Sequence, residues 1–121
     1  MARVLIVEDA ESVGSMIGNM LELNGHEIAG LASNGQEAVE KYKALRPDVV
    51  LMDIVMPVMD GLSAIKKIKE EDQKARIIVV TAMVRESVKN ESMEYGALDV
   101  IFKPFEVKRL LDAVKSATTV E

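Results

Sequence analysis

Apolar residues along this chain alternate between short unbroken runs and longer stretches in which they recur every three or four positions. The runs are Val4-Leu5-Ile6-Val7, Val49-Val50-Leu51-Met52, Ile77-Ile78-Val79-Val80 and the shorter Val100-Ile101-Phe102. An unbroken run of this kind fits a strand covered on both faces, the usual condition of a parallel sheet. Strands are therefore predicted at Arg3–Val7, Glu27–Ala32, 48–52, 76–80 and Asp99–Phe102. The second is the least apolar, as expected nearer a sheet edge. Between the runs, Val13, Met16, Ile17 and Met20 follow the spacing of a buried helical face, and Val107, Leu110, Leu111 and Val114 repeat it. Ala38, Tyr42 and Leu45 mark a second helix, Gly61, Ile65 and Ile68 a third, and Val88 with Met93 a weaker fourth. Strands alternating with helices imply parallel pairing through right-handed crossovers, hence an α/β, doubly wound fold with helices on both faces.

Polar punctuation sets the boundaries. Asn34-Gly35 and Asp60-Gly61 are turn or cap signals, Pro47 and Pro57 stop what precedes them, and Gly96 can close the fourth helix. Glu37 with Lys41, and Lys66 with Glu70, have the i,i+4 spacing of solvated pairs on outer helix faces. The pattern fades after about Ala117, so one domain is expected over residues 1–121, with a core at about 2–117 and a short tail.

Composition mainly excludes. A chain of 121 residues without cysteine has neither disulfides nor thiolate zinc sites. No stretch approaches the length of a membrane span, and no amino-terminal segment is ordered like a signal peptide, so a cytoplasmic location is expected. Fifteen basic and twenty acidic residues leave a net charge of −5, which supplies no footprint for phosphate backbones and argues against direct nucleic-acid binding.

Chemistry concentrates at the ends of the runs. The first ends in Glu8-Asp9, and later ones in Asp53, Thr81 and Lys103. Ligands of open α/β sheets gather at the carboxyl ends of the strands, so these residues are expected to meet at one edge. Read singly, each is an ordinary cap, loop or surface residue. Their joint placement at four strand ends argues for a site. A carboxylate can attack a phosphoryl group and form an acyl phosphate, so Asp53 is the proposed nucleophile. Oxygen ligands suit magnesium, with Asp9 and Asp53 as direct ligands and Glu8 acting through a bound water. Lys103 would pair with one phosphoryl oxygen as a point charge, and the Thr81 hydroxyl would donate to another.

The residues that carry this site also carry a resemblance. Residues 4–9, the stretch Leu51-Met52-Asp53-Ile54-Val55-Met56-Pro57 with Asp60-Gly61, Thr81-Ala82, and Phe102-Lys103-Pro104-Phe105 together resemble response-regulator receiver domains of the two-component and chemotaxis type. Each segment alone is weak, but four in the family's order across the full length are specific. The resemblance implies a flavodoxin-like (βα)5 fold with strand order 2-1-3-4-5. It implies that Asp53 takes a phosphoryl group from a phosphohistidine on a sensor kinase or from a small-molecule donor. It makes the Val55 backbone carbonyl a further magnesium ligand, with manganese able to substitute, and Lys103–Pro104 a cis peptide. Partners implied are a histidine kinase or histidine phosphotransfer protein and a downstream protein target, and the domain is expected to be a monomer and not an enzyme with an external substrate.

Departures from the family pattern bear on behaviour. Many receivers carry Tyr or Phe where this chain has Val100, so the aromatic that swings inward on activation is absent. Val55 and Met83 occupy the variable positions flanking the phosphorylation site, and neither can orient a hydrolytic water by hydrogen bonding, so a long-lived acyl phosphate is expected. Gly14 and Gly18, with Ser12, Ser15 and Asn19, leave small uncharged residues on the first helix, which in the family commonly docks the phosphodonor. The leading reading is a stand-alone switch whose output is the surface of the fourth helix, fifth strand and fifth helix. The alternatives are a phosphorelay intermediate and the receiver half of a DNA-binding regulator. Leu98 and Val100 stand where those regulators often have an acid and an aromatic. A small phosphatase or a nucleotide-binding protein lacks its expected motifs here.

Overall fold

The computed structural model describes residues 2–119. Ten elements alternate without exception: β1 (Arg3–Val7), α1 (Glu11–Leu23), β2 (Glu27–Ala32), α2 (Gly35–Leu45), β3 (Val49–Met52), α3 (Gly61–Glu71), β4 (Ile77–Thr81), α4 (Glu86–Glu94), β5 (Asp99–Phe102) and α5 (Val107–Thr118). All pairings are parallel, in the order β2-β1-β3-β4-β5. β3 begins at Val49 and β4 runs from Ile77 to Thr81, each one residue later than the hydrophobic runs predict. Asp48 instead accepts a hydrogen bond from Arg3 N–H on its carboxylate at 2.8 Å.

Alternation along each strand divides the core between two faces. Leu5, Val7, Val50, Met52, Ile77 and Val79 pack under α2, α3 and α4, against Ala38, Tyr42, Ile65, Ile68 and Val88. Val4, Ile6, Val49, Leu51, Ile78 and Val80 face the other side, against Ile17 and Leu21 of α1 and Leu110, Ala113 and Val114 of α5. Both faces are therefore dry, which is why β1, β3 and β4 read as unbroken apolar runs.

Three residues expected to be buried are exposed: Met16 at 48 %, Met93 at 44 % and Val107 at 39 %. On α1 the face against the sheet is Gly14, Ile17, Gly18 and Leu21. The two glycines thus lie inward, where a Cβ would make ordinary contacts with Ile6 and Ile28 from position 18 and with Glu8 from position 14. They are not part of an exposed small-residue surface. On α4 the buried positions are Val88 and Ser92, and the Ser92 hydroxyl donates to Val88 O at 2.7 Å and so brings no unpaired polar atom inside.

Helix ends follow the sequence signals. Asn34 caps α2 by accepting from Glu37 N–H, and Asp60 caps α3 by accepting from Ser63 N–H. Glu37 closes the first cap by accepting from Ser33 N–H and Oγ, so it is not the salt-bridge partner of Lys41, whose amine donates to Leu31 O. Nor do Lys66 and Glu70 pair among the described residues; the i,i+4 pair observed is Lys108 with Asp112. Gly96, with φ of +116°, ends α4 as expected. At the edge where the strands begin, Asn24, His26, Leu111, Lys115 and Thr118 line one groove, so the carboxyl end of α5 lies beside the start of β2.

Candidate functional site

β1 and β3 are neighbours in register, Val7 opposite Met52, so the residues that follow them emerge together. Asp53 N–H donates to Val7 O at 3.0 Å and Glu8 N–H to Ala32 O at 2.9 Å, which fixes both backbones at the carboxyl edge. Beyond β4 and β5, Lys103 N–H donates to Thr81 O at 2.8 Å. The Lys103–Pro104 peptide is cis, as the resemblance implies.

The acids converge. Glu8, Asp9 and Asp53 each bring one carboxylate oxygen to within 4.8 Å of the others. Glu8 and Asp53 are buried and Asp9 is exposed, so the cluster opens to solvent on the Asp9 side. Capping does not account for the pair at 8 and 9, because the N-cap of α1 is Ala10 and it makes no side-chain cap hydrogen bond. Lys103 Nζ lies 2.5 Å from Glu8 Oε1 and 3.5 Å from Asp53 Oδ2, an amine between two of the three acids. Burial, and then the neighbouring Asp53 carboxylate, push the Glu8 carboxyl up to about 7 against the pull of Lys103. Glu8 Oε2 is buried with no protein partner.

Asp53 Oδ1 accepts from Ile54 N–H at 2.7 Å and Val55 N–H at 3.4 Å, which aims the carboxylate while Oδ2 faces Lys103. Thr81 is fully buried, and its Oγ1 accepts from Met83 N–H at 3.1 Å, leaving the hydroxyl proton to donate. All five side chains named from the sequence thus lie at the carboxyl edge, Glu8, Asp9, Asp53 and Lys103 beside one another and Thr81 by strand register. The cluster fits a hard divalent cation: three carboxylates within one coordination sphere's reach, and a buried oxygen without a donor. Val55, expected to offer its carbonyl, follows two residues after Asp53 and is 55 % exposed.

Two glycines that the sequence marks only as turn or cap signals also shape the site. A Cβ on Gly61 would lie 2.1 Å from the Asp53 carbonyl oxygen, and Gly61 N–H donates to Ile54 O at 2.9 Å, so α3 starts pressed against the backbone of Asp53. A Cβ on Gly35 would lie 2.4 Å from Met59 O, to which Gly35 N–H donates at 2.8 Å. Between these two clamps, Met59 N–H donates to Pro57 O at 2.7 Å around Val58, whose φ is +66°. That is the rare, strained form of γ-turn, centred on a β-branched residue.

Val100 is 5 % exposed and belongs to the core under α2, α3 and α4. It also borders an open groove of about 460 Å³ with Phe102, Phe105 and Arg109. Arg109 grips Asp99 with two hydrogen bonds, at 2.8 and 2.9 Å, and this holds the Asp99 carboxyl below the usual range.

Comparison with known proteins gives one answer. The family model described as response regulator receiver domain matches residues 4–115. The chemotaxis protein CheY of Thermotoga maritima is 47 % identical over 116 residues, covering 96 % of this chain and 97 % of the relative. That of Bacillus subtilis is 48 % identical over 112 residues, 93 % of each chain. Among solved structures, the CheX-CheY-BeF3-Mg+2 complex from Borrelia burgdorferi superposes with a TM-score of 0.93 at 33 % identity, covering 98 % of this chain and 90 % of that one.

Proposed function

Since the chain belongs to the response-regulator receiver family, we propose that Asp53 is its phosphoacceptor and that the domain is a switch read by a separate protein. A carboxylate oxygen of Asp53 attacks the phosphorus of a phosphohistidine on a kinase or phosphotransfer protein. The O–P bond forms as the P–N bond breaks, and the imidazole, already protonated on its other ring nitrogen, leaves as the neutral base. Magnesium, when bound, neutralises charge on the phosphoryl oxygens. Asp9, Asp53 and the Val55 carbonyl would hold it directly and Glu8 through a water. Lys103 moves from its resting contact with Glu8 to a phosphoryl oxygen, and the Thr81 hydroxyl donates to another. No external substrate turns over, and the setting is the cytoplasm.

The observation that carries this reading is the placement of Lys103 Nζ, 3.5 Å from Asp53 Oδ2 and beside a cluster of three acids. A phosphoryl group on that oxygen would arrive within reach of the Lys103 ammonium. Output is assigned to the α4-β5-α5 face, where Val100 borders the groove with Phe102 and Phe105. With no ring at position 100, the change on that face is a movement of the Thr81 loop and not an aromatic swing.

The test is an amide-correlation NMR spectrum with magnesium, before and after beryllofluoride, with Asp53→Asn as control. Saturable, Asp53-dependent shifts reaching Val100, α4 and α5 support the switch. Shifts confined to the pocket favour a relay intermediate, the reading that the apolar Val55 and Met83 also support through a persistent acyl phosphate. Absence of any shift overturns the assignment of Asp53.

A further inference from the structure

Asparagine followed by glycine occurs twice in the chain, at Asn24-Gly25 and at Asn34-Gly35. The dipeptide is reactive as well as turn-forming, because the glycine nitrogen has no side chain beside it and can attack the asparagine amide. Local sequence gives the two positions the same chemistry. The fold does not.

Asn34-Gly35 is held shut. Asn34 Oδ1 accepts from Glu37 N–H at 2.9 Å, and Asn34 Nδ2 donates to Glu37 Oε2 at 3.3 Å. Gly35 is buried, its N–H donates to Met59 O at 2.8 Å, and a Cβ there would lie 2.4 Å from the same oxygen. The nitrogen that would have to attack is therefore bonded and enclosed by backbone. Releasing it means detaching the start of α2 from the β3–α3 loop.

Asn24-Gly25 closes α1 in a Schellman motif. His26 N–H donates to Leu21 O at 3.0 Å, Gly25 N–H donates to Glu22 O at 3.1 Å, and Gly25 has φ of +87°. This turn is bare on its outer side. Leu23 is 87 % exposed, Asn24 and Gly25 are exposed, and a Cβ on Gly25 would meet no atom of another segment within 4 Å. The Asn24 amide donates to Met20 O, within its own helix, at 2.8 Å. Fraying of the last turn breaks these bonds without uncovering the Leu21 side chain.

We propose that Asn24 is a site of spontaneous deamidation, and that Asn34 is protected from the same reaction by the fold. The Gly25 nitrogen gives up its proton and attacks Asn24 Cγ. The N–Cγ bond forms, the Cγ–Nδ2 bond breaks, and Nδ2 takes up a proton and leaves as ammonia. Water then opens the cyclic imide, at Cγ to give aspartate or at the main-chain carbonyl to give isoaspartate. Either product replaces the donor to Met20 O by a carboxylate, at the negative end of the α1 dipole. The modified chain is therefore less stable at this helix end. The acids, at the opposite edge of the parallel sheet, are untouched, and the inference does not depend on the reading of Asp53.

The experiment incubates the folded chain at mildly alkaline pH, beside a sample in urea above the unfolding transition, and follows both asparagines by peptide mapping with mass spectrometry. In the folded chain Asn24 is expected to convert at least about tenfold faster than Asn34, and in urea the two are expected to convert within about twofold of each other. Asn24→Asp, which supplies one product directly, is expected to lower the urea midpoint. Retention of both amides in the folded chain overturns the proposal, as do equal rates there or faster loss at Asn34. A preference for Asn24 that persists undiminished in urea overturns it too, since the neighbouring residues and not the fold would then set the rates. A midpoint for Asn24→Asp equal to or above that of the unaltered chain overturns the stated effect on α1.

Discussion

Gly61→Ala is expected to slow phosphorylation of Asp53 about a hundredfold, even from a small donor such as phosphoramidate. A Cβ at residue 61 would lie 2.1 Å from the Asp53 carbonyl oxygen and 2.7 Å from Ile54 Cα, both backbone atoms. No side-chain rotation relieves such a clash. Either the start of α3 or the Asp53–Ile54 peptide must retreat by about 1 Å before the contact is tolerable. The same movement lengthens the 2.9 Å hydrogen bond from Gly61 N–H to Ile54 O, the clamp that holds the loop. Misplacing a reacting group by about 1 Å can cost on the order of 10²-fold in rate, and overpacking costs about 1–3 kcal/mol in stability. The assay follows the phosphorylated fraction by intact-mass spectrometry with magnesium, while a urea titration of the same variant reports its stability. Circular dichroism at the assay temperature separates a displaced site from an unfolded chain. A folded variant that reacts at the rate of the unaltered chain would show that α3 does not hold the acceptor in place, and the reasoning would be refuted.

Gly18→Ala should act in the opposite direction. Its Cβ would meet Ile6 and Ile28 side chains at 3.6 and 3.7 Å, ordinary contacts in a helix interior, so stability should rise by about 1 kcal/mol, read as a higher urea midpoint. A lower midpoint would mean that α1 lies closer to the sheet than described. The single histidine, His26, accepts from Ala2 N–H on Nδ1 at 3.1 Å, and burial lowers its pKa below 6.5. The unfolded chain therefore takes up the proton first as pH falls through about 6.5, and the contribution of His26, complete above that pH, is lost below it. A folded-state NMR titration midpoint above the ordinary histidine value would contradict this. The acyl phosphate should persist well beyond seconds at neutral pH, because neither Val55 nor Met83 can orient a water; decay within seconds, followed by loss of the mass adduct, would remove that argument.

The strands and the acids were legible because their signals are local. Runs of Val, Ile and Leu covered on both faces need no tertiary information to be read as buried strands, and their carboxyl ends give the site. Helix faces were harder. A stripe of hydrophobic residues placed Met16 inward, yet Gly14 and Gly18 occupy that face, and glycine has no hydropathy by which burial could be read. Met93 was misplaced for the related reason that Ser92, satisfied by Val88 O, lies inward in its stead. Glu37 carried two compatible signals, an i,i+4 lysine and a capping partner three residues before it, and the cap prevailed. What no local pattern contains is distance across the sheet. That Lys103 rests on Glu8, 95 residues away in sequence, and that Gly61 touches the carbonyl of Asp53, are products of packing.

The groove shared by Asn24, His26 and Thr118 has a consequence for how this domain can be handled. Every strand runs the same way, so the acids crowd one end of the sheet, and both ends of the described chain lie at the other, a full strand length away. A fluorophore, an affinity handle or a surface tether attached at either end therefore points away from the mouth above Asp53. Held at that end, the domain still presents the edge that carries Asp53 to solution.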